Sequence, residues 1–474
     1  MEMFDKFMNL CNTYRDNDKQ DTTDIYDYLD TLSDEELKIL LKHEEESKNY
    51  YSALEQGLKI MLNSIYGAFG NKYFVASTLE IATAITAMGR SVIQLMDRTI
   101  EDYTYNKWHL DEELHKILNI TDVNKIDDRY IHRESKVIYK GVVKENDVIE
   151  GIYQRKNGVC LYLDTDSIFL SFINYMKSCS FYKEASWSEK KQFIMDMAKH
   201  RLEPMFEEVL SEFAAKYNVK NVHKFEMENI NESILFLTKK KYIKHTIWED
   251  GTSYDRLTKI VPKGVTLVQK GTPKFVKEKL NDIIYYIFDN TQNLSLTPIM
   301  KKVVAWRKEF EFYDIDDICR QQSVNKYYSS KILFEGKLIN SPGVISDKKE
   351  LRLAKGTTSG TKCASYFNHL LHNNPEYLTK YEHIKAGSKI KYYCCIPDEN
   401  LNLYVDDIQI DSKGKKQTLS KFGYLRGEFP TEFAPKVDYK MQFYNEFTKP
   451  LNFYLTALGF PNITERVSII NSVF

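Results

Sequence analysis

Residues 161–170 read Leu-Tyr-Leu-Asp-Thr-Asp-Ser-Ile-Phe-Leu, and no other ten residues constrain the fold of this chain as tightly. The flanks 159–163 and 168–172 are apolar and rich in β-formers, with polar turn residues only between them. The pattern predicts a strand–turn–strand that holds Asp164 and Asp166 at its tip. Carboxylates fixed side by side are the hard oxygen donors that divalent cations take. Paired Mg²⁺ ions on such donors drive phosphoryl transfer, activating a hydroxyl and clamping the leaving phosphate. A two-metal site usually takes carboxylates from a second place in the fold as well, so the hairpin poses the question of where the others lie.

At 474 residues the chain is long enough for two or three domains with a sizeable core. Its 43% hydrophobic and 28% charged residues suit a folded, soluble protein. No apolar run approaches the roughly 20 residues that span a bilayer. The opening Met-Glu-Met-Phe-Asp-Lys lacks a basic and then apolar leader pattern. Seven cysteines without a CxxC pair argue against zinc or iron–sulfur modules and for a reducing compartment. A net charge of −1 excludes a uniformly basic nucleic-acid binder. Locally, however, 239–279 carries eleven Lys and Arg against four Asp and Glu. A phosphate-contact surface has that balance, and so does a solvated face.

Residues 3–14 form an amphipathic pattern ending near Arg15 and Lys19, with a polar, acidic loop expected over 16–30. Ser33-Asp-Glu-Glu36 has the form of a capping box opening a long helix through Tyr66. A third helix is expected over 79–104, its Ala82, Ala84, Ala87 and Gly89 permitting close packing. Residues 130–172 alternate as strands do, with a charge-rich inserted hairpin over 131–158. Helix is expected over 188–218 and strand over 222–248. After Pro273 helices dominate, apart from a mixed, turn-rich patch over about 325–430. The fold class is α+β, a mixed body followed by a mostly helical lobe.

Within the long helix, Lys59-Ile-Met-Leu-Asn63-Ser-Ile-Tyr66-Gly67 puts Lys59, Asn63, Tyr66 and Gly67 on one face. A cation and an amide one turn apart can grip a polyphosphate. The tyrosine offers a stacking surface beside a glycine that would stop the helix. Singly, each residue suits an ordinary amphipathic helix; together they point to a nucleotide.

In order, these segments resemble motifs of the family B DNA polymerases. Lys59 to Gly67 is similar to KxxxNSxYG, Tyr162-Leu-Asp-Thr-Asp166-Ser to YxDTDS, and Lys239-Lys240-Lys241-Tyr242 to KKxY. The T-even-type bacteriophage branch is the nearest. Ala82-Thr-Ala-Ile-Thr86, Lys263-Gly264 through Thr272-Pro273-Lys274, and Lys449-Pro450-Leu451 also match it, and the match is weakest over 105–158 and 325–430. The resemblance implies a right-hand architecture. Helical fingers would span 1–71 and the second part of an antiparallel-sheet palm 72–263, with an insertion near 105–158. A mostly helical thumb with a C-terminal tail would follow over 264–474.

The resemblance also implies roles. Lys59 and Asn63 would hold the triphosphate of an incoming dNTP, with Tyr66 beneath the nascent base pair and Gly67 giving it room. Arg15 and Lys19 have the spacing of the RxxxK pair that reaches the outer phosphates, with Asp16 and Asp18 as unusual neighbours. Asp166 matches the metal-bridging aspartate and Asp164 its weaker partner. Glu228, eleven residues before Lys239, matches an active-site glutamate near the two Mg²⁺ ions. Lys240 and Tyr242 match primer-strand contacts. Leu163 replaces the family's usual glycine without removing a ligand.

The family's first palm aspartate, in a motif of the DxxSLYPS type, has no counterpart here, nor do the DxE and YxxxD exonuclease motifs. The acidic 312–317 falls in the expected thumb. Two dications bridged by Asp166 alone would repel. The expectation is therefore the C-terminal subunit of a split DNA-templated DNA polymerase, a nucleotidyltransferase. An N-terminal polymerase/exonuclease polypeptide would supply the other aspartate and share the Mg²⁺. The alternatives are a non-catalytic nucleic-acid-binding remnant and a fragment of a longer single-chain polymerase. Primer-template DNA and dNTP are expected ligands. The tail 468–474 is expected to hold a sliding clamp or to pack on its own thumb. No membrane association is expected, and the compartment would be the cytoplasm of a phage-infected bacterium.

Overall fold

The computed structural model describes residues 2–16, 23–127, 130–132, 153–155, 159–182, 185–325, 331–334, 337–340, 343–345, 351–354, 357–396, 402–406, 415–418 and 420–464. The chain divides into two compact units, Met1–Phe225 and Glu226–Phe474. Helices and mainly antiparallel sheets are mixed in it, in keeping with the α+β expectation. Among the described residues no helix is long and apolar enough to cross a membrane.

In the first unit α1 (Glu2–Asp16) packs on α2 (Thr23–Asp30). The Tyr28 hydroxyl donates to the Met3 carbonyl at 3.2 Å, and Lys6 Nζ lies 4.6 Å above the Tyr28 ring. A helix thus stands where a loop was expected, because burying Tyr28 against α1 outweighs the acidic, turn-like local composition. Then α3 (Asp34–Phe69) opens at the capping box. Ser33 N–H donates to Glu36 Oε2 at 2.9 Å, and Glu36 N–H to Ser33 Oγ at 3.4 Å. It continues past Gly67 to its cap at Gly70. Gly67 is therefore not the stop that the sequence suggested. A helix-interior glycine costs about 1 kcal/mol but keeps its backbone hydrogen bonds.

Next, α4 (Leu79–Asp102) buries Met96 and Ile100 in a core with Trp108 and Tyr175. The same core takes Phe193 and Met197 from α5 (Trp187–Met197), and Phe206 and Leu210 from α6 (Glu203–Ala215). The strands β1 (Tyr130–His132) and β2 (Tyr153–Arg155) pair antiparallel. Of the hairpin expected over 131–158, residues 133–152 and 156–158 lie outside the described residues. The strands β3 (Cys160–Asp164) and β4 (Ser167–Leu170) form a two-stranded sheet, with α4 packed against both.

In the second unit β5 (Asn229–Thr238), β6 (Lys241–Glu249), β7 (Thr252–Ser253) and β8 (Ile260–Lys263) form an antiparallel sheet. Its Leu235 and Ile243 join Phe275, Leu280 and Ile284 of α7 (Lys274–Asp289) and Val303 of α8 (Leu296–Glu309) in one core. Phe447 and Leu451, the latter in the late helix Lys449–Ala457, close it. A second core lies between α9 (Ser359–Asn373) and a sheet of β9 (Arg320–Ser323), β10 (Lys389–Cys394) and β11 (Lys421–Leu425), in the order β11–β10–β9. The lobe expected to be mostly helical, with a mixed, turn-rich patch over about 325–430, thus holds a sheet-based core of its own, largely within that patch. Its strands pair across long sequence separations, Tyr392 with Arg320 and Cys394 with Lys421, so no local hairpin signal announces them.

The acidic run 312–317 is used inside this unit. Asp314 Oδ1 accepts from Asp316 N–H at 2.7 Å. Asp316 accepts from the Tyr424 hydroxyl at 2.6 Å and pairs with Lys391 at 3.0 Å, and Asp317 pairs with Lys274 at 3.4 Å.

Candidate functional site

In the β3–β4 hairpin, Leu163 faces Ile168 and Asp164 faces Ser167, which leaves Thr165 and Asp166 as the turn. Asp166 N–H donates to the Asp164 carbonyl at 2.7 Å, with Thr165 between them at φ +60°. That is a γ-turn of the rare positive-φ kind, and an uncommon conformation for a β-branched residue. Ser167 Oγ donates to the same carbonyl at 3.2 Å, and Thr165 Oγ1 donates to Asp164 Oδ1 at 3.2 Å. Behind the turn the Tyr162 and Phe169 rings meet at 5.8 Å. Asp166 is exposed at the tip and Asp164 is half-buried. The structure thus brings the two carboxylates together on a short, bonded turn. Their chemistry suits Mg²⁺ in kind. In number they fall short, since no group of three or more His, Cys, Asp or Glu side chains gathers as a metal site among the described residues.

Lys59, Asn63 and Tyr66 share one exposed face of α3. One turn earlier Glu55 Oε1 lies 2.6 Å from Lys59 Nζ, both side chains being about three-fifths exposed. An exposed i,i+4 pair is worth about 0.3–0.5 kcal/mol, so a polyanion displaces Glu55 at small cost. Glu55 was not singled out from the sequence, although its place four residues before Lys59 carried the signal. Arg15 stands in the last turn of α1, and Lys19 lies outside the described residues.

In the second unit Lys240 occupies the β5–β6 turn at φ +61°, just past the Thr238–Lys241 pair. Gly264, at φ +65°, backs this turn. A Cβ built on it would come within 2.3 Å of the Lys240 carbonyl oxygen. Tyr242 faces Phe236 across β5 and Lys263 across β8, and its ring is 6.0 Å from that of Phe236. Two residues along the same strand face is Lys244, nearly buried. Burial holds its ammonium below the usual lysine range, with Glu249 opposing and Lys263 reinforcing that effect. Lys244 was not singled out from the sequence, and Lys263 was noted only in a segment similar to the phage branch, not as a neighbour of Tyr242. The period of two gives Lys244, but Lys263 needs the β6–β8 register.

Glu228 lies elsewhere. Its carbonyl accepts from Asp250 N–H at 3.1 Å, beside the Asn229–Glu249 pair. The length of β5 separates it from Lys240, roughly 30 Å at about 3.3 Å per residue. The structure does not bring Glu228 and Lys240 together.

Residues 32–190 and 194–336 match the family model of DNA polymerase family B. The DNA-directed DNA polymerase of Escherichia phage RB69 is 26% identical over 238 residues, 48% of this chain and 21% of that protein. The DNA-directed DNA polymerase of Enterobacteria phage T4 is 22% identical over 315 residues, 64% of this chain and 30% of that protein. The DNA polymerase catalytic subunit of Gallid herpesvirus 2 is 22% identical over 256 residues, 53% of this chain and 16% of that protein. The chain spans less than a third of the length of these relatives. The family model nevertheless covers well over half of the chain, including the carboxylate turn, the Lys59 face and the lysine–tyrosine strand. The chain belongs to DNA polymerase family B.

Proposed function

We propose that the chain is the C-terminal part of a DNA-templated DNA polymerase that adds deoxynucleotides to a primer 3′-hydroxyl. One observation carries the proposal: a family B chain presents Asp164 and Asp166 on an exposed, hydrogen-bonded turn. The unit that holds this turn also displays Lys59, Asn63 and Tyr66 on one helix face.

In this reading Asp166 and Asp164 hold Mg²⁺, which when bound lowers the cost of charge at the attacking and leaving oxygens. Glu228 is assigned to the surroundings of the metals. Lys59 and Asn63 bind and orient the triphosphate, with Arg15 and Lys19 at its outer phosphates, and Tyr66 stacks beneath the incoming base. Lys240 and Tyr242 hold the primer strand. The missing aspartate belongs to a segment of the DxxSLYPS type on an N-terminal polymerase/exonuclease polypeptide, which we assign to a separate subunit. The residues 468–474, assigned to a sliding clamp, lie outside the described residues.

The test is extension of a labelled primed template. The chain mixed with its N-terminal polypeptide, Mg²⁺ and dNTPs is expected to extend it, neither chain alone is, and Asp166→Ala abolishes extension. Extension that survives Asp166→Ala refutes the proposal. DNA binding without extension by the wild-type pair leaves a nucleic-acid-binding remnant. A single longer polypeptide carrying both halves overturns the two-subunit form.

A further inference from the structure

The last described residues of the chain enter a groove of their own unit. Between α8 and the consecutive helical turns Tyr439–Phe443 and Tyr444–Thr448 lies a groove of about 230 Å³, and Ile463 and Thr464 are part of its lining. A water needs roughly 10–15 Å³ of such space, so the groove is of a size for side chains. Val303 and Phe443, both buried, form its floor with half-buried Val304. Exposed Lys308, Lys440 and Glu311 and half-buried Arg307 lie at its rim. The chain is held where it enters. Asn452 Oδ1 accepts from Ile463 N–H at 2.8 Å, and Asn452 Nδ2 donates to the Ile463 carbonyl at 2.9 Å. One residue earlier Asn462 Oδ1 accepts from the Thr456 hydroxyl at 2.9 Å. The Ile463 side chain is buried in the core that holds Val303 and Phe443. These contacts fix the point from which residues 465–474 continue.

We propose that this groove seats the chain's own following segment, with Glu465 at the basic rim and Val467 and Ile469 on the apolar floor. Three observations choose the occupant. The first is place: Thr464 lines the groove, so the next residue starts at its edge. The second is reach. Along α8 the lining runs from Met300 to Lys308, about 12 Å at 1.5 Å per residue, and ten residues extend to about 33 Å. The third is composition. Residues 465–474 read Glu-Arg-Val-Ser-Ile-Ile-Asn-Ser-Val-Phe, five large apolar residues and two charges, with the acid next to Thr464. Three cations at the rim attract Glu465, and Glu311 is there for Arg466. A segment tethered at the mouth of its site is present at an effective concentration on the order of millimolar, so one or two buried aliphatic side chains hold it. The corresponding segment of a second copy must compete with that concentration. A seated segment is withheld from other proteins, so this seat and the clamp contact assigned to 468–474 exclude each other. The seat stands whether or not the polymerase reading does.

The experiment follows amide hydrogen exchange over 467–474 in the full chain by mass spectrometry, beside a synthetic peptide of residues 465–474. In the wild type these amides are expected to exchange about tenfold or more slower than in the peptide, the worth of one buried aliphatic side chain. Val304→Glu on the floor and Ile469→Glu in the segment should each return them to the rate of the peptide. The second variant alters no residue of the groove, so it separates lost seating from a damaged fold. Exchange at the peptide's rate in the wild type overturns the inference. Protection that survives either variant also overturns it, because the segment is then held elsewhere. Protection that disappears on dilution does the same, by making the segment of a second copy the occupant.

Discussion

The Lys240 turn rests on a glycine, and replacing it separates two physical costs that usually come together. Gly264→Ala puts a side chain on a residue at φ +65° and drives its Cβ to 2.3 Å from the Lys240 carbonyl oxygen, well inside the 3.0 Å that real Cβ atoms respect. The left-handed conformation costs an alanine about 1 kcal/mol. Overpacking against backbone adds about 1–3 kcal/mol, since neither strand end can yield without disturbing the β5–β6 or β6–β8 ladder. The expected loss is about 3 kcal/mol. Gly251 is the control: its φ is +84° and nothing lies within 4 Å of its added Cβ, so Gly251→Ala costs about 1 kcal/mol, from conformation alone. For a unit of this size each kcal/mol moves the midpoint by about 2–4 °C. Thermal unfolding followed by tryptophan fluorescence should show a fall of about 6–12 °C for Gly264→Ala and about 2–4 °C for Gly251→Ala. Displacing Lys240 should also weaken primed-DNA binding in the first variant and not in the second. Equal shifts in the two variants would refute the reasoning, because only Gly264 has a carbonyl in the way.

Other expectations follow from the same geometry. Lys59→Ala should raise the KM for dNTP about tenfold or more, the worth of a charge-assisted contact, while leaving the thermal midpoint in place. Glu55→Gln removes the competitor for Lys59 and should lower that KM about twofold at low salt, with the difference vanishing at high salt. Thr165→Gly relieves a left-handed β-branched residue and should raise stability by about 1 kcal/mol, yet slow extension by loosening the carboxylate turn; unchanged extension would show that the strain has no part in the site. His245 is fully buried, and its Nε2 accepts from Leu257 N–H at 2.9 Å. Burial holds it below the ordinary histidine value of 6.5, with Glu232 opposing and Arg256 adding to the effect. The unfolded chain therefore takes up the proton first. Stability should be full above about pH 6.5 and fall as pH drops through the lower folded value, and His245→Gln should flatten that fall in thermal midpoints measured across pH.

What could be read from the sequence is what depends on neighbours a few residues apart. The Ser33–Glu36 box, the Asp164–Asp166 turn and the face of Lys59, Asn63 and Tyr66 all follow from spacings of two to four. What escaped depends on partners far along the chain. Tyr28 turns an acidic stretch into a helix only because α1 covers it. The sheet of β9, β10 and β11 joins Arg320, Tyr392 and Phe422, which no local pattern associates. Gly67 misled for another reason: a single glycine weakens a helix by about 1 kcal/mol, too little to end one that is held on both sides. The same distinction explains the site. The Asp164 and Asp166 carboxylates were legible because one turn holds both, whereas the use of Gly264 and the place of Lys263 beside Tyr242 exist only through the β6–β8 register. Small residues over 79–89 announced close packing, and among the described residues only Ala82 of Ala82, Ala84, Ala87 and Gly89 is buried.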